Sequence, residues 1–167
     1  MKYMKRGFTI IEVITAIFIL TMGVSAAFAL IQGTLTFSKT TSARLTSAYL
    51  AQEGLEIIRN IRDSNWLEQR DNPALAWDYG ISVGSSYGLD YQSSVFPDSL
   101  CSGEFLKFDG NYFNCRPVSS SNIQTNFKRE ITVQKPVGKM IVQVKVSWTG
   151  PSGTQQVQAE TELYNWK

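Results

Sequence analysis

Few residues in this chain have the type and spacing for chemistry, and Glu12 is the first of them. It is the only charge between Arg6 and Lys39, and it stands in Lys5-Arg6-Gly7-Phe8-Thr9-Ile10-Ile11-Glu12-Val13. A carboxylate in apolar surroundings calls for a partner, because it costs about 2.5–3.5 kcal/mol at the centre of a membrane helix and less near the edge. In the first turn of a helix it also suits the positive end of the dipole. Cys101 and Cys115 form a second candidate pair; without histidine, two cysteines are too few for a structural zinc site. Between them, Asp109-Gly110-Asn111 with Asn114 has the look of an oxygen-ligand calcium loop, yet it lacks the closing acidic residue and a turn explains it. Glu160 and Glu162 share one strand face at period two, which reads as solvated rather than catalytic. Trp66, Trp77, Tyr79, Tyr87, Tyr91 and Phe96 could make a ligand platform, but packing accounts for most of them. Histidine is absent, which excludes Ser-His-Asp and Cys-His catalysis and histidine proton shuttles. No nucleophile–base arrangement stands out, so the chain reads as a non-enzyme with no cofactor and no metal.

The elements that must position these residues begin with Val13 to Ser38, 26 residues without a charge. As a helix this run spans roughly 39 Å at ~1.5 Å per residue, enough to cross a hydrocarbon core of about 30 Å. Lys2, Lys5 and Arg6 place its amino-terminal end in the cytoplasm, so the chain beyond about Lys39 is expected to be exported. The apolar run is too long for an ordinary secretory signal. Helical periodicity continues past it: Leu45, Ala48, Ala51, Leu55, Ile58 and Ile61 form an apolar stripe, while Arg44, Gln52, Glu53, Glu56, Arg59 and Asp63 lie largely off it. Glu56–Arg59 and Arg59–Asp63 have ion-pair spacing. The spacing predicts one helix from near Phe8 to near Asp63, whose second half needs a partner surface.

The last third supplies that surface. Phe127, Arg129, Ile131 and Val133 alternate on one strand, Met140, Val142, Val144, Val146 and Trp148 on the next, and Val157, Ala159, Thr161 and Leu163 on a third. Lys135-Pro136-Val137-Gly138 and Gly150-Pro151-Ser152-Gly153 break the chain between them, so an antiparallel meander covered by the amphipathic half-helix is expected. The segment 64–125 reads as irregular, with short strands at Glu104–Phe108 and Asn111–Cys115 joined through Asp109-Gly110. Export places both cysteines in an oxidising exterior, and that hairpin would bring their ends together, so a Cys101–Cys115 disulfide is expected.

Across 167 residues the net charge is +2, with 16 basic and 14 acidic residues; beyond Ser38 there are thirteen of each. The surplus therefore belongs to the amino terminus. A nucleic-acid-binding domain usually carries a net basic footprint, and the distal part has none.

A short basic segment ending in Gly7, then Phe8, Thr9, a glutamate at Glu12 and an immediate apolar span together resemble the leader of type IV prepilins. The resemblance implies that a membrane prepilin peptidase cuts between Gly7 and Phe8 and methylates the new amino group of Phe8. It further implies that Glu12 pairs with the Phe8 amine of a neighbouring subunit and so sets the register of filament assembly. The implied fold is α+β and pilin-like, a long amino-terminal helix packed on a carboxy-terminal antiparallel sheet of three or more strands. The parts would be a leader at 1–7, a filament-core helix at 8–38, its amphipathic continuation at 39–63, a variable region at 64–125 and the meander at 126–167. Leu50-Ala51-Gln52-Glu53-Gly54-Leu55 and the late strands resemble minor pilins and I-type pseudopilins more than major pilins. Two departures from major pilins agree: the span has no proline, only Gly23 and Gly33, and the cysteines precede the final sheet. The resemblance implies as partners the peptidase, other pilin subunits through the helix, and the inner membrane before assembly into an extracytoplasmic filament. A type II secretion pseudopilin, or a tip subunit binding DNA or a surface, are the alternative readings.

Overall fold

The computed structural model describes residues 7–101, 105–116, 123–150 and 153–165. The chain forms two compact units, Met1–Thr41 and Ser42–Lys167, and one helix, α1 (Ile10–Glu68), has residues in both. Within the first unit, Gly7 through Lys39 are all solvent-exposed. Isoleucine, phenylalanine and leucine point to every side, which is the surface of a helix made for an apolar solvent or for other helices rather than for water. Thr15, Thr21, Thr34, Thr36 and Thr40 turn their hydroxyls back onto carbonyls three or four residues earlier, at 2.9–3.0 Å. This hides their polarity without help from outside the helix.

The second unit packs α1 from Ser42 onward against one antiparallel sheet. Its strands are β1 (Gly84–Ser86), β2 (Phe105–Phe108), β3 (Phe113–Asn114), β4 (Ile123–Gln134), β5 (Lys139–Gly150) and β6 (Gly153–Tyr164). The order is β3-β2-β4-β5-β6, with β1 also on β4. The meander is as the alternation requires: Met140, Val142, Val144, Val146 and Trp148 are all buried, as are Arg129, Ile131 and Val133. The fold is therefore the expected α+β arrangement of a long apolar helix on an antiparallel sheet, here with six strands.

Several boundaries differ from the sequence reading, each for a physical reason. The helix runs five residues past Asp63. Its last turn, Ser64–Glu68, carries no apolar stripe and is tied down by Asn65, which donates to the carbonyls of Trp77 (3.1 Å) and Tyr79 (2.8 Å). The buried face of α1 is also rotated from the expected stripe: Ser47, Leu50, Ala51, Gly54, Ile57, Ile58, Ile61, Arg62 and Asn65 are buried, whereas Leu45 is exposed. Close approach to β5 selects small residues at the contact, since a Cβ on Gly54 would meet Val144 Cγ1 at 3.0 Å. Arg59 pairs with Glu56, but Asp63 pairs with Arg62 at 2.7 Å rather than with Arg59. Among its described residues the segment 64–125 holds three strands and the start of a fourth. Of the anticipated hairpin, Glu104 lies outside the described residues, and β3 is confined to Phe113–Asn114 because Asp109 Oδ1 captures the N–H groups of Asn111 (2.9 Å) and Tyr112 (2.8 Å) in the turn.

Candidate functional site

At the amino-terminal end, Thr9 caps α1: its carbonyl accepts from the N–H groups of Glu12 (3.1 Å) and Val13 (3.2 Å), and its hydroxyl from Glu12 N–H at 3.4 Å. Thr9-Ile10-Ile11-Glu12 is thus a capping box in sequence, a signal the leader pattern alone had hidden. Glu12 sits in the first turn, and among the described residues its carboxylate has no hydrogen-bond or ion-pair partner. Phe8 is 83% exposed. Nothing lies within 4 Å of a Cβ placed on Gly7, so the packing of the described chain makes no demand for glycine there.

In the second unit, Cys101 and Cys115 are joined as a disulfide with Cα atoms 4.9 Å apart. Beside it, Arg116 bridges two carboxylates, Asp90 (3.0 Å) and Asp98 (2.8 Å), and Ser93 donates to Asp98 at 2.9 Å. Asp90, Ser93 and Asp98 are buried. An oxygen of Asp90 and the two sulfurs lie within 4.8 Å of one another. Each is already engaged, Asp90 by Arg116 and the sulfurs by each other, so the group closes a loop rather than presenting ligands. Arg129 is 1% exposed and joins three parts: it donates to the carbonyls of Leu50 on α1 (3.3 Å) and Leu89 in the loop (2.9 Å) and pairs with Glu53 at 3.2 Å. Burial draws its guanidinium pKa down, and the Glu53 carboxylate opposes that shift. Arg129 was visible in the sequence only as a residue on the buried phase of a strand; Arg116, Asp90 and Asp98 left no local signal at all.

The remaining candidates lie elsewhere in the second unit. Asp109 accepts from the N–H groups of Asn111 and Tyr112 and from the Asn114 amide, and its two backbone bonds hold its carboxyl below the ordinary carboxylate value. Phe96 is buried and Trp77 packs against the core, whereas Tyr79 is exposed and Tyr91 stacks on Tyr112 with ring centroids 4.9 Å apart. A cavity of about 210 Å³ is lined by Glu53, Glu56, Ile57, Asn60, Tyr91 and Ser93, but its two carboxylates are engaged by Arg129 and Arg59. Glu162 pairs with Lys139 at 2.5 Å, and Glu160 accepts from Gln143 at 3.1 Å.

In comparison with known proteins, residues 2–28 match the family described as the prokaryotic N-terminal methylation motif. No curated protein and no solved structure matches the chain. The matched residues enclose Gly7, Phe8 and Glu12 and continue into an apolar helix long enough to cross a membrane. Over residues 2–28 the chain thus carries the amino-terminal methylation motif of prepilins, which supports a type IV prepilin-family protein.

Proposed function

We propose that the chain is a structural minor pilin, a subunit of a type IV pilus-like filament. A prepilin peptidase removes residues 1–7 by cutting between Gly7 and Phe8 and then methylates the amine of Phe8. The mature chain rests in the inner membrane with its amino terminus toward the cytoplasm, and Glu12 pairs with the Phe8 amine of a neighbouring subunit on assembly. The observation that carries this reading is Glu12 itself, a carboxylate in the exposed apolar stretch of α1 that finds no partner in the described part of its own chain. Desolvating it with its neighbour's amine is favourable only if the two charges meet. Gly7 adds support: with open space around it, the reason for a glycine lies with whatever reads the site. An early disulfide and an unbroken helix, with no proline between Ile10 and Glu68, fit a minor subunit better than a major one.

The test is intact-mass analysis of the full chain expressed with and without a prepilin peptidase, followed by immunodetection in sheared filaments. The expected result is a peptidase-dependent loss of residues 1–7, gain of one methyl group, and low-abundance recovery in the filament fraction. An unchanged mass in the presence of active peptidase overturns the processing. Processed chain that is absent from pili but present in secretion pseudopili moves the assignment to the type II machine.

A further inference from the structure

The two ends of the sheet are built differently. At one end the terminal strand is β3, two residues long, and β1 and β2 divide β4 between them, so that edge is short and interrupted. At the other end β6 pairs with β5 residue for residue from Gly153 to Tyr164, with no register shift. Among the described residues no strand lies on its outer side. Edges of this length are commonly blunted by charged side chains, lysine above all, by proline or by a bulge. The β6 sequence GTQQVQAETELY has no lysine, proline or bulge, and its only charges are Glu160 and Glu162. Its core-facing residues Val157, Ala159 and Thr161 are only half-buried, whereas their cross-strand partners Val146, Val144 and Val142 are completely buried. The core face is thus left open along this rim.

On the opposite face, charges pair from strand to strand. Glu130 of β4 binds Lys145 of β5, and Lys139 of β5 binds Glu162 of β6. Glu160 is where the series stops: its partner among the described residues is the neutral Gln143 amide, and β6 carries two carboxylates and no cation.

We propose that the outer edge of β6 is a docking site for an extended segment of a different protein, which adds as a seventh strand and sets a lysine or arginine beside Glu160. Unpaired main-chain groups along the edge supply the attraction, and the carboxylate selects the partner's charge and register. A second β6 fits worse, since it brings two more carboxylates to the same face.

The test uses the full-length chain in its native membrane with a photo-crosslinking residue in place of Gln158, next to Glu160 on the same face, and a control at Thr132 on β4. Irradiation at 158 is expected to give one adduct and at 132 none. Sequencing of the crosslinked peptide by mass spectrometry is expected to find a different protein, joined within two residues of a lysine or arginine. Glu160→Lys should lower the yield at least about tenfold, by charge repulsion at the docking register. If that variant fails to fold, Glu160→Gln carries the comparison. No adduct, an adduct of the chain with itself, a partner segment lacking a basic residue, equal yield from Thr132, or a yield untouched in a folded Glu160 variant each overturns the proposal.

Discussion

Arg129 reaches Glu53 at 3.2 Å from within the sheet, a guanidinium with no exposed surface facing a carboxylate that is about one-third exposed. The pair joins β4 to α1, and the same guanidinium holds the Leu89 carbonyl of the loop. Breaking such a pair from one side strands the other charge. Glu53→Ala is expected to destabilise the fold by about 1–3 kcal/mol, less than a fully buried pair because water reaches Glu53. Arg129→Met leaves the Leu50 and Leu89 carbonyls without their donor and should cost about 1–3 kcal/mol. The double replacement Glu53→Leu with Arg129→Met should recover part of the loss, because no charge is then buried. Denaturant unfolding of the full chain in detergent measures all three. A double variant as unstable as the summed singles would show that the charge pair is not the coupling element.

Gly54 lies where α1 packs directly against β5. A methyl group there meets Val144 Cγ1 at 3.0 Å, Val144 Cγ2 at 3.2 Å and Arg129 Cδ at 3.3 Å. Alanine improves helix propensity by up to about 1 kcal/mol, but overpacking a buried contact costs about 1–3 kcal/mol. Gly54→Ala should therefore be neutral to mildly destabilising, and Gly54→Val clearly destabilising. Adding Val144→Ala to Gly54→Ala should relieve the clash, seen as a favourable coupling in the double-mutant cycle. Strict additivity would place the contact elsewhere.

Cys101 and Cys115 are 14 residues apart, and a loop of this size contributes roughly 3 kcal/mol in the chain-entropy model. Replacing both with serine should lower stability by about that amount and loosen the segment that Arg116 ties to Asp90 and Asp98, raising amide exchange there. Two alkylatable thiols in unreduced, exported protein would show that the bond does not form in the cell.

The turn at Asp109 should be pH-sensitive with a definite sign. Backbone N–H donors from Tyr112 and Asn111 lower its carboxyl pKa in the folded chain. A lowered value means that the stabilisation is fully present above the ordinary carboxylate pKa and is lost as pH falls through the folded one. Glu162, lowered first by Lys139, follows the same direction. NMR titration should find the Asp109 carboxyl below the normal range, with the Asn111 and Tyr112 amide shifts moving at the same midpoint. A midpoint at or above the ordinary value contradicts the turn geometry.

How far the fold is legible in the sequence depends on the kind of interaction. Met140 to Trp148 announce β5 because a half-buried strand must alternate, and all five expected residues are buried. The contact face of α1 is less legible, because Ser47 and Gly54 are chosen for size and carry no hydropathy signal. The segment after Asp63 is nearly silent, since it is held by polar bonds between distant residues, Asn65 to Trp77 and Tyr79, and Arg116 to Asp90 and Asp98. Arg129 is the instructive middle case: the alternation puts it inside, and only the partners brought by folding explain why a charge is tolerated there.

On the proposed pairing with a neighbour's amine, Glu12 separates insertion from assembly. Thr9 caps α1 through its own carbonyl and hydroxyl, so the helix start does not depend on the Glu12 side chain. Removing that carboxylate also makes the span easier to place in a membrane. Glu12→Ala should therefore be inserted and cleaved as well as wild type, yet be lost from the sheared filament fraction, because nothing then meets the neighbour's amine. Glu12→Asp keeps the charge and shortens the reach, and should retain part of the incorporation, while Glu12→Gln, nearly the same shape without the charge, should behave like alanine. Ordinary incorporation of the glutamine variant would remove charge pairing as the registering interaction and leave helix packing alone to set the subunit spacing.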